Sequence, residues 1–210
     1  MFSGDDEMDT EFSFDFDKQE KKRKIIKLII RIAIWVMCIS GAIVLGYLFT
    51  VVALEKTNMV GSGMEPTLSD DDILIVNRMA YLFSDPERFD IIVFNKSGKE
   101  HRVYATRRIY GLPGDTVQVR DGAVFINGEQ IEEPINVDPM ITSGLYEEEV
   151  TLDDDEYFVL GDNRNDCEDS RYFNFGNVSR EEIIGEAVIR LSPFSIISKL
   201  NLKEKTEEEE

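Results

Sequence analysis

The sequence predicts a mainly β domain, an antiparallel sandwich or barrel, carried by one N-terminal membrane-spanning helix. Two observations carry this. An uncharged apolar run, Ile32 to Leu54, stands near the start of the 210-residue chain. After it, short runs rich in β-branched residues recur with tight-turn pairs between them.

The apolar run, residues 32–54, contains no Asp, Glu, Lys or Arg. A helix of this length reaches roughly 34 Å at 1.5 Å per residue, enough for a hydrocarbon core of about 30 Å. It is too long for the apolar region of a cleaved leader, and no Ala-x-Ala-like site follows it, so it reads as a retained anchor. Lys18, Lys21, Lys22, Arg23, Lys24, Lys27 and Arg31 precede the span, and only Lys56 closely follows it. That asymmetry predicts a cytoplasmic N-terminus and an extracytoplasmic C-terminal domain, with the basic segment 18–31 lying against anionic headgroups.

Residues 1–17 carry acids and no base, interleaved with Phe12, Phe14 and Phe16. They read as an acidic disordered tail. The acidic tail and the basic segment nearly cancel, so most of the net charge of −19 falls on the part after the span. So acidic a domain is a poor partner for nucleic acid. Residues 204–210 form a second acidic tail. Cys38 lies inside the span and Cys167 beyond it, so they cannot pair, and residues 55–203 must fold without a disulfide.

Within 55–203 the expected strands fall in order. Ile73–Val76 and Ile91–Phe94 are compact apolar runs. Val117–Arg120 alternates, meets Asp121-Gly122, continues as Val124–Ile126, and meets Asn127-Gly128. Both pairs are hairpin turn signals. Tyr157–Leu160 and Glu186–Leu191 complete the set, the latter as the last strand. Ser179 and Glu182 form a capping-box pattern at one helical turn. Residues 129–156 are irregular and acidic, and read as a lobe edge.

Four segments stand in order: Gly61–Leu68 (Gly-Ser-Gly-Met-Glu-Pro-Thr-Leu); Asp71–Val76; Arg88–Phe94 with Arg107–Asp115, which contains Gly-Leu-Pro-Gly-Asp; and Gly161–Arg164, continuing to Asp169-Ser170-Arg171 and Phe175-Gly176. Together they resemble the type I signal peptidases, membrane serine proteases that cut signal peptides from secreted proteins. The resemblance covers roughly Ile32 to Pro193. It implies the antiparallel β fold of that family, a location in a bacterial-type plasma membrane, no cofactor and no metal.

The family uses a serine nucleophile and a neutral lysine base. By resemblance the nucleophile position is Gly63 and the base position is Arg107. Glycine has no side chain to attack a carbonyl, and a guanidinium does not deprotonate in proteins. A third departure is Cys167, where the family usually carries a serine that helps to hold the lysine. Asp162, Asp169 and Arg171 match its structural polar network. Asp169 is expected to pair with Arg171 or Arg164, and Arg107 is expected to form an ion pair, with Asp169 as the candidate. Gly61, Met64 and Pro66 match the substrate-binding region, although Met64 is equally readable as core.

Other side chains offer a nucleophile or a base. Ser62 stands one residue from the lost serine and is a possible substitute. Cys167 sits among Asp166, Glu168 and Asp169, which raise a thiol pKa. His101, the single histidine, lies in a charged stretch and reads as solvated surface. Asp162, Asp166 and Asp169 have no calcium-loop spacing. The expected function is therefore a catalytically degenerate relative that binds extended polypeptides, either secreted or surface-assembled such as pilus subunits, or a secretion or pilus-assembly protein. The alternative is an active peptidase with an unusual nucleophile and base.

Overall fold

The computed structural model describes residues 5–96 and 104–197, with side chains from Lys22 onward. His101 and the tail 204–210 lie outside the described residues. Two units separate, Met1–Val51 and Val52–Glu210.

In the first unit, helix α1 runs Asp5–Ala53 and so continues through the segment read as a disordered tail. Acids in the first turns of a helix are favoured by its macrodipole, which opposes the disordering effect of their mutual repulsion. Its Lys22–Ala53 portion is long and apolar enough to cross a membrane, with a mean hydropathy of 2.5 over its most apolar window. Trp35, Met37, Ile43, Leu45 and Tyr47 are more than 60% exposed. In water that apolar surface would be unfavourable at about 25 cal/mol per Å², so hydrocarbon is its natural solvent.

The second unit is antiparallel throughout. Strands β1 (Leu54–Asn58), β2 (Ile73–Asn77), β3 (Ile91–Asn95), β4 (Tyr104–Gly111), β9 (Glu156–Leu160), β10 (Val178–Ser179), β11 (Ile183–Leu191) and β12 (Phe194–Ile196) make one sheet. Its order is β1-β2-β11-β3-β4-β9-β10, with β12 on β11. A smaller sheet, β7-β6-β5-β8, comprises β5 (Thr116–Arg120), β6 (Ala123–Ile126), β7 (Glu129–Gln130) and β8 (Val150–Thr151).

The two turn signals act as read. Asp121, Gly122, Asn127 and Gly128 all have positive φ, and Arg120 pairs Ala123 as Ile126 pairs Glu129. These are two-residue hairpins whose mirror-image twist suits flanking strands. The capping box also forms, with Ser179 and Glu182 bonding reciprocally at the 3-10 turn Arg180–Glu182. β12 follows β11, so Glu186–Leu191 is not the last strand. β4 lies between β3 and β9 although its sequence, Tyr-Ala-Thr-Arg-Arg-Ile-Tyr-Gly, offers no apolar run.

Three apolar clusters fill the domain. One joins Tyr110, Val117, Val124 and Phe158 between the sheets. A second joins Met59, Met64, Leu68, Leu74, Val76 and Val93 beneath the loop that follows β1. A third joins Ile92, Phe94, Ile109 and Val159.

Candidate functional site

β4 supplies two consecutive arginines, and successive side chains of a strand point to opposite faces. Arg107 therefore leaves β4 on the face of Ile109, and Arg108 on the face of Tyr110. The Arg107 guanidinium stands 5.4 Å from the Phe175 ring centre. Its Nε and Nη2 both donate to the Glu168 carbonyl, at 2.9 and 2.7 Å, and Nη1 donates to the Thr106 carbonyl at 2.7 Å. Arg107 is 9% exposed, and among the described residues no carboxylate lies within ion-pair distance of it. The expected pair with Asp169 does not form. Asp169 is occupied on both oxygens by Arg171, at 2.9 Å each, because a residue two positions along the same loop closes a two-point grip first.

The loop after β1 is fastened to the loop after β9. Asn163 donates from its backbone to the Gly63 carbonyl and from its side chain to the Ser62 carbonyl, both at 3.2 Å. Thr67 Oγ1 donates to Asp162 at 2.5 Å. Asp162 also receives Arg108 at 2.9 and 2.6 Å, with both side chains almost wholly buried. A buried charge is tolerable only when paired and hydrogen-bonded, and Asp162 meets both conditions while tying three segments together.

These bonds bring the three departures to one place. A β-carbon built on Gly63 would lie 2.8 Å from Cys167 Sγ and 3.4 Å from both Cζ and Nη1 of Arg107. Gly161 closes the opposite side: a β-carbon there would overlap Cys167 Sγ and lie 2.5 Å from the Gly63 carbonyl oxygen. The thiol is thus sandwiched between two glycines. Burial pushes its pKa up to about 11; Asp169 adds to the rise, and the Arg107 cation opposes it. A thiol so placed stays protonated at neutral pH and is a poor nucleophile.

Ser62 Oγ donates to the Asp166 carboxylate at 3.3 Å. No amine lies within hydrogen-bond distance of it among the described residues. Gly61 and Pro66 are exposed, whereas Met64 is fully buried in the cluster beneath the loop. Of the three substrate-binding candidates, Met64 is thus the buried one, clustered with Met59 and Leu68. Asp162, Asp166 and Asp169 turn toward Arg108, Ser62 and Arg171 respectively, so they do not share a centre.

Sequence reading missed a further network. Arg164 donates to Glu133 at 2.9 and 2.7 Å and to the Tyr110 hydroxyl at 2.6 Å, and Tyr110 in turn donates to Glu133 at 2.7 Å. Burial pushes the Tyr110 pKa far above its ordinary value. Glu133 comes from the acidic stretch that carried no pattern, and only the apolar neighbours of Tyr110 and the arginine of Gly-Asp-Asn-Arg hinted at it.

Among the described residues, one apolar helix followed by antiparallel β sheets is the architecture of a protein of the signal-peptidase type. The family model described as signal peptidase, peptidase S26, matches residues 32–192, and the chain belongs to that family. A probable signal peptidase I-2 of Synechocystis is 41% identical over 145 residues, spanning 66% of this chain and 63% of that protein. Signal peptidase I P of Bacillus subtilis subsp. natto is 33% identical over 187 residues, spanning 85% of this chain and 98% of that protein. A solved signal peptidase I from Enterococcus faecalis is 31% identical over 49% of this chain and 97% of that one, with a TM-score of 0.41. The apolar helix fits the membrane location that such relatives imply.

Proposed function

We propose that this chain is a non-cutting member of the signal peptidase family that binds extended polypeptides, secreted or surface-assembled, at the membrane surface. The observation that carries it is the placing of Gly63 beside Arg107, whose guanidinium lies 3.4 Å from where a β-carbon of residue 63 would stand. Where the resemblance puts a nucleophile there is no side chain, and where it puts a base there is a group that holds its proton. Cys167 closes the same space with a protonated thiol.

The binding half of the reading rests on the scaffold around that site. The Asp162–Arg108 and Asp169–Arg171 pairs, the Asn163 bonds to the loop of Gly63, and the exposed Gly61 and Pro66 are all in place. An extended peptide adds to a sheet edge mainly through backbone hydrogen bonds, which need no nucleophile. The basic flank before the span supports a cytoplasmic N-terminus and an extracytoplasmic domain. Partners on that side are secreted chains or components of a secretion or pilus-assembly machine.

A second reading, an active peptidase, draws on one observation: Ser62 Oγ bonds a carboxylate, Asp166, that is able in principle to accept its proton. The test is cleavage of a model preprotein by the purified full chain in detergent, beside a Gly63→Ser/Arg107→Lys/Cys167→Ser variant. The proposal expects a silent parent and a cutting variant. A parent that cuts, and stops on Ser62→Ala, overturns it in favour of the second reading.

A further inference from the structure

We propose that the turn between β2 and β3, residues 78–86, is a second membrane attachment, with Leu82 and Phe83 entering the headgroup layer of the bilayer that helix α1 is long and apolar enough to cross. The attachment is independent of the polypeptide-binding reading and of whether the chain cuts.

Strand register brings this turn to the end of the span. Helix α1 ends at Ala53, and β1 begins at the next residue. Leu54 pairs with Asn77, the last residue of β2, and the Arg78 N–H donates to the Ala53 carbonyl at 2.9 Å. The chain therefore enters the turn beside the point where it left the apolar helix. The turn is tightly wound, so its tip stays near. The Met79 N–H donates to Asn77 Oδ1 at 3.0 Å, the Leu82 N–H to the Met79 carbonyl at 3.2 Å, and Ser84 Oγ to the Ala80 carbonyl at 2.9 Å.

The same turn is pinned on both sides of its apolar tip. Tyr81 packs against the third apolar cluster, its hydroxyl donates to Asp90 at 3.1 Å, and its carbonyl accepts from Arg180 at 2.6 Å. Pro86 is buried at the other end. Between these pins Leu82 is 60% exposed and Phe83 95%, the latter the most exposed large apolar side chain among the described residues. A turn facing water is ordinarily built from Gly, Pro, Asn, Asp or Ser, so two adjacent large apolar residues at its tip serve no need of the turn itself. Held out by a fixed backbone, they have little freedom left to lose, and they gain in proportion to the apolar area that lipid takes from water. Asp85 and Glu87 follow and are exposed. Carboxylates are excluded from hydrocarbon, so the contact is shallow, at the depth of the headgroups. Lipid is the occupant because the turn is hydrogen-bonded to the very residue at which the apolar helix ends. A second foothold limits the swing of the domain on its anchor, and with it the distance of the Gly63 loop from the bilayer.

The test uses the full chain in vesicles of phosphatidylcholine and phosphatidylglycerol. The chain has one tryptophan, Trp35, so a Trp35→Phe/Phe83→Trp variant reports from position 83 alone. Exchange of one exposed aromatic residue for another leaves the packing beneath it untouched, and an unchanged Tm checks this. Emission is compared in vesicles whose lipids carry bromine near the headgroup end or near the methyl end of the acyl chain. The parent, with Trp35 inside the apolar run, calibrates a deep position. The expected result is emission at shorter wavelength than tryptophan in water, with a larger loss to the shallow bromines than to the deep ones. Emission like that of tryptophan in water, untouched by either bromine, overturns the attachment. Short-wavelength emission that neither bromine quenches also overturns it, and assigns the turn to a protein partner or a second copy. A larger loss to the deep bromines overturns the headgroup depth.

Discussion

The sulfur of Cys167 occupies the space that a side chain on residue 63 would need: it lies 2.8 Å from the β-carbon position of Gly63. Contacts this short do not persist, so residues 63 and 167 are coupled. The sulfur is the end of a short side chain, and removing it frees the space.

Gly63→Ser in the otherwise unaltered chain should therefore lose about 1–3 kcal/mol of stability by overpacking. In a Cys167→Ala background the same change should cost less than about 1 kcal/mol. A thermal or denaturant double-mutant cycle should return a coupling of at least about 1 kcal/mol, and additivity would show that the loop moves aside. The same coupling predicts that Gly63→Ser/Arg107→Lys cuts preprotein more slowly than the variant that also carries Cys167→Ser.

Gly161→Ala should behave differently. Its β-carbon would meet the Gly63 carbonyl oxygen at 2.5 Å as well as the sulfur. Backbone cannot rotate away as a side chain can, so a loss of roughly 2–3 kcal/mol is expected, and Cys167→Ala should recover only part of it. Full recovery would mean that the carbonyl contact is soft.

Asp162→Ala leaves Arg108 charged, buried and without its two-point partner. The expected loss is about 3–5 kcal/mol, a fall in Tm of roughly 6–20 °C for a domain of this size. Asp121→Asn, which removes the charge of an ion pair exposed at both ends and keeps a residue that tolerates the positive φ of this turn, should cost no more than about 1 kcal/mol. Similar effects at the two sites would refute the bracing role assigned to Asp162.

Cys167 should alkylate slowly at pH 7 and accelerate with a midpoint near 11, as read by mass spectrometry of its peptide. The Arg107 cation lowers this pKa against the effect of burial, so Arg107→Met should move the midpoint further up. A midpoint at 9 or below would place the thiol in a far more solvated setting.

Much of the fold was readable because it rests on local rules. Asp121-Gly122 and Asn127-Gly128 demand positive φ at consecutive residues, and Ser179 and Glu182 are a reciprocal cap, so neither needs long-range knowledge. β4 was not readable as a strand, because Arg107 and Arg108 sit at its centre. Their burial is bought chiefly by Asp162 and the Glu168 carbonyl, each more than 50 residues away. The site was readable in part for the same reason. Positions 63, 107 and 167 were singled out by the family resemblance, yet the Asp169–Arg171 grip that leaves Arg107 without Asp169 depends on loop geometry. Met64 was readable both as cleft and as core, and the structure buries it in one cluster with Met59 and Leu68.

The glycine–thiol–glycine stack has a historical consequence. No single replacement at 63, 107 or 167 yields a serine and a lysine together, and the first that adds a hydroxyl at 63 meets the sulfur. Intermediate genotypes carry a cost without a gain in chemistry. On the proposed reading a lineage bearing this trio is entrenched, because a hydroxyl at 63 finds room only once the sulfur at 167 is gone.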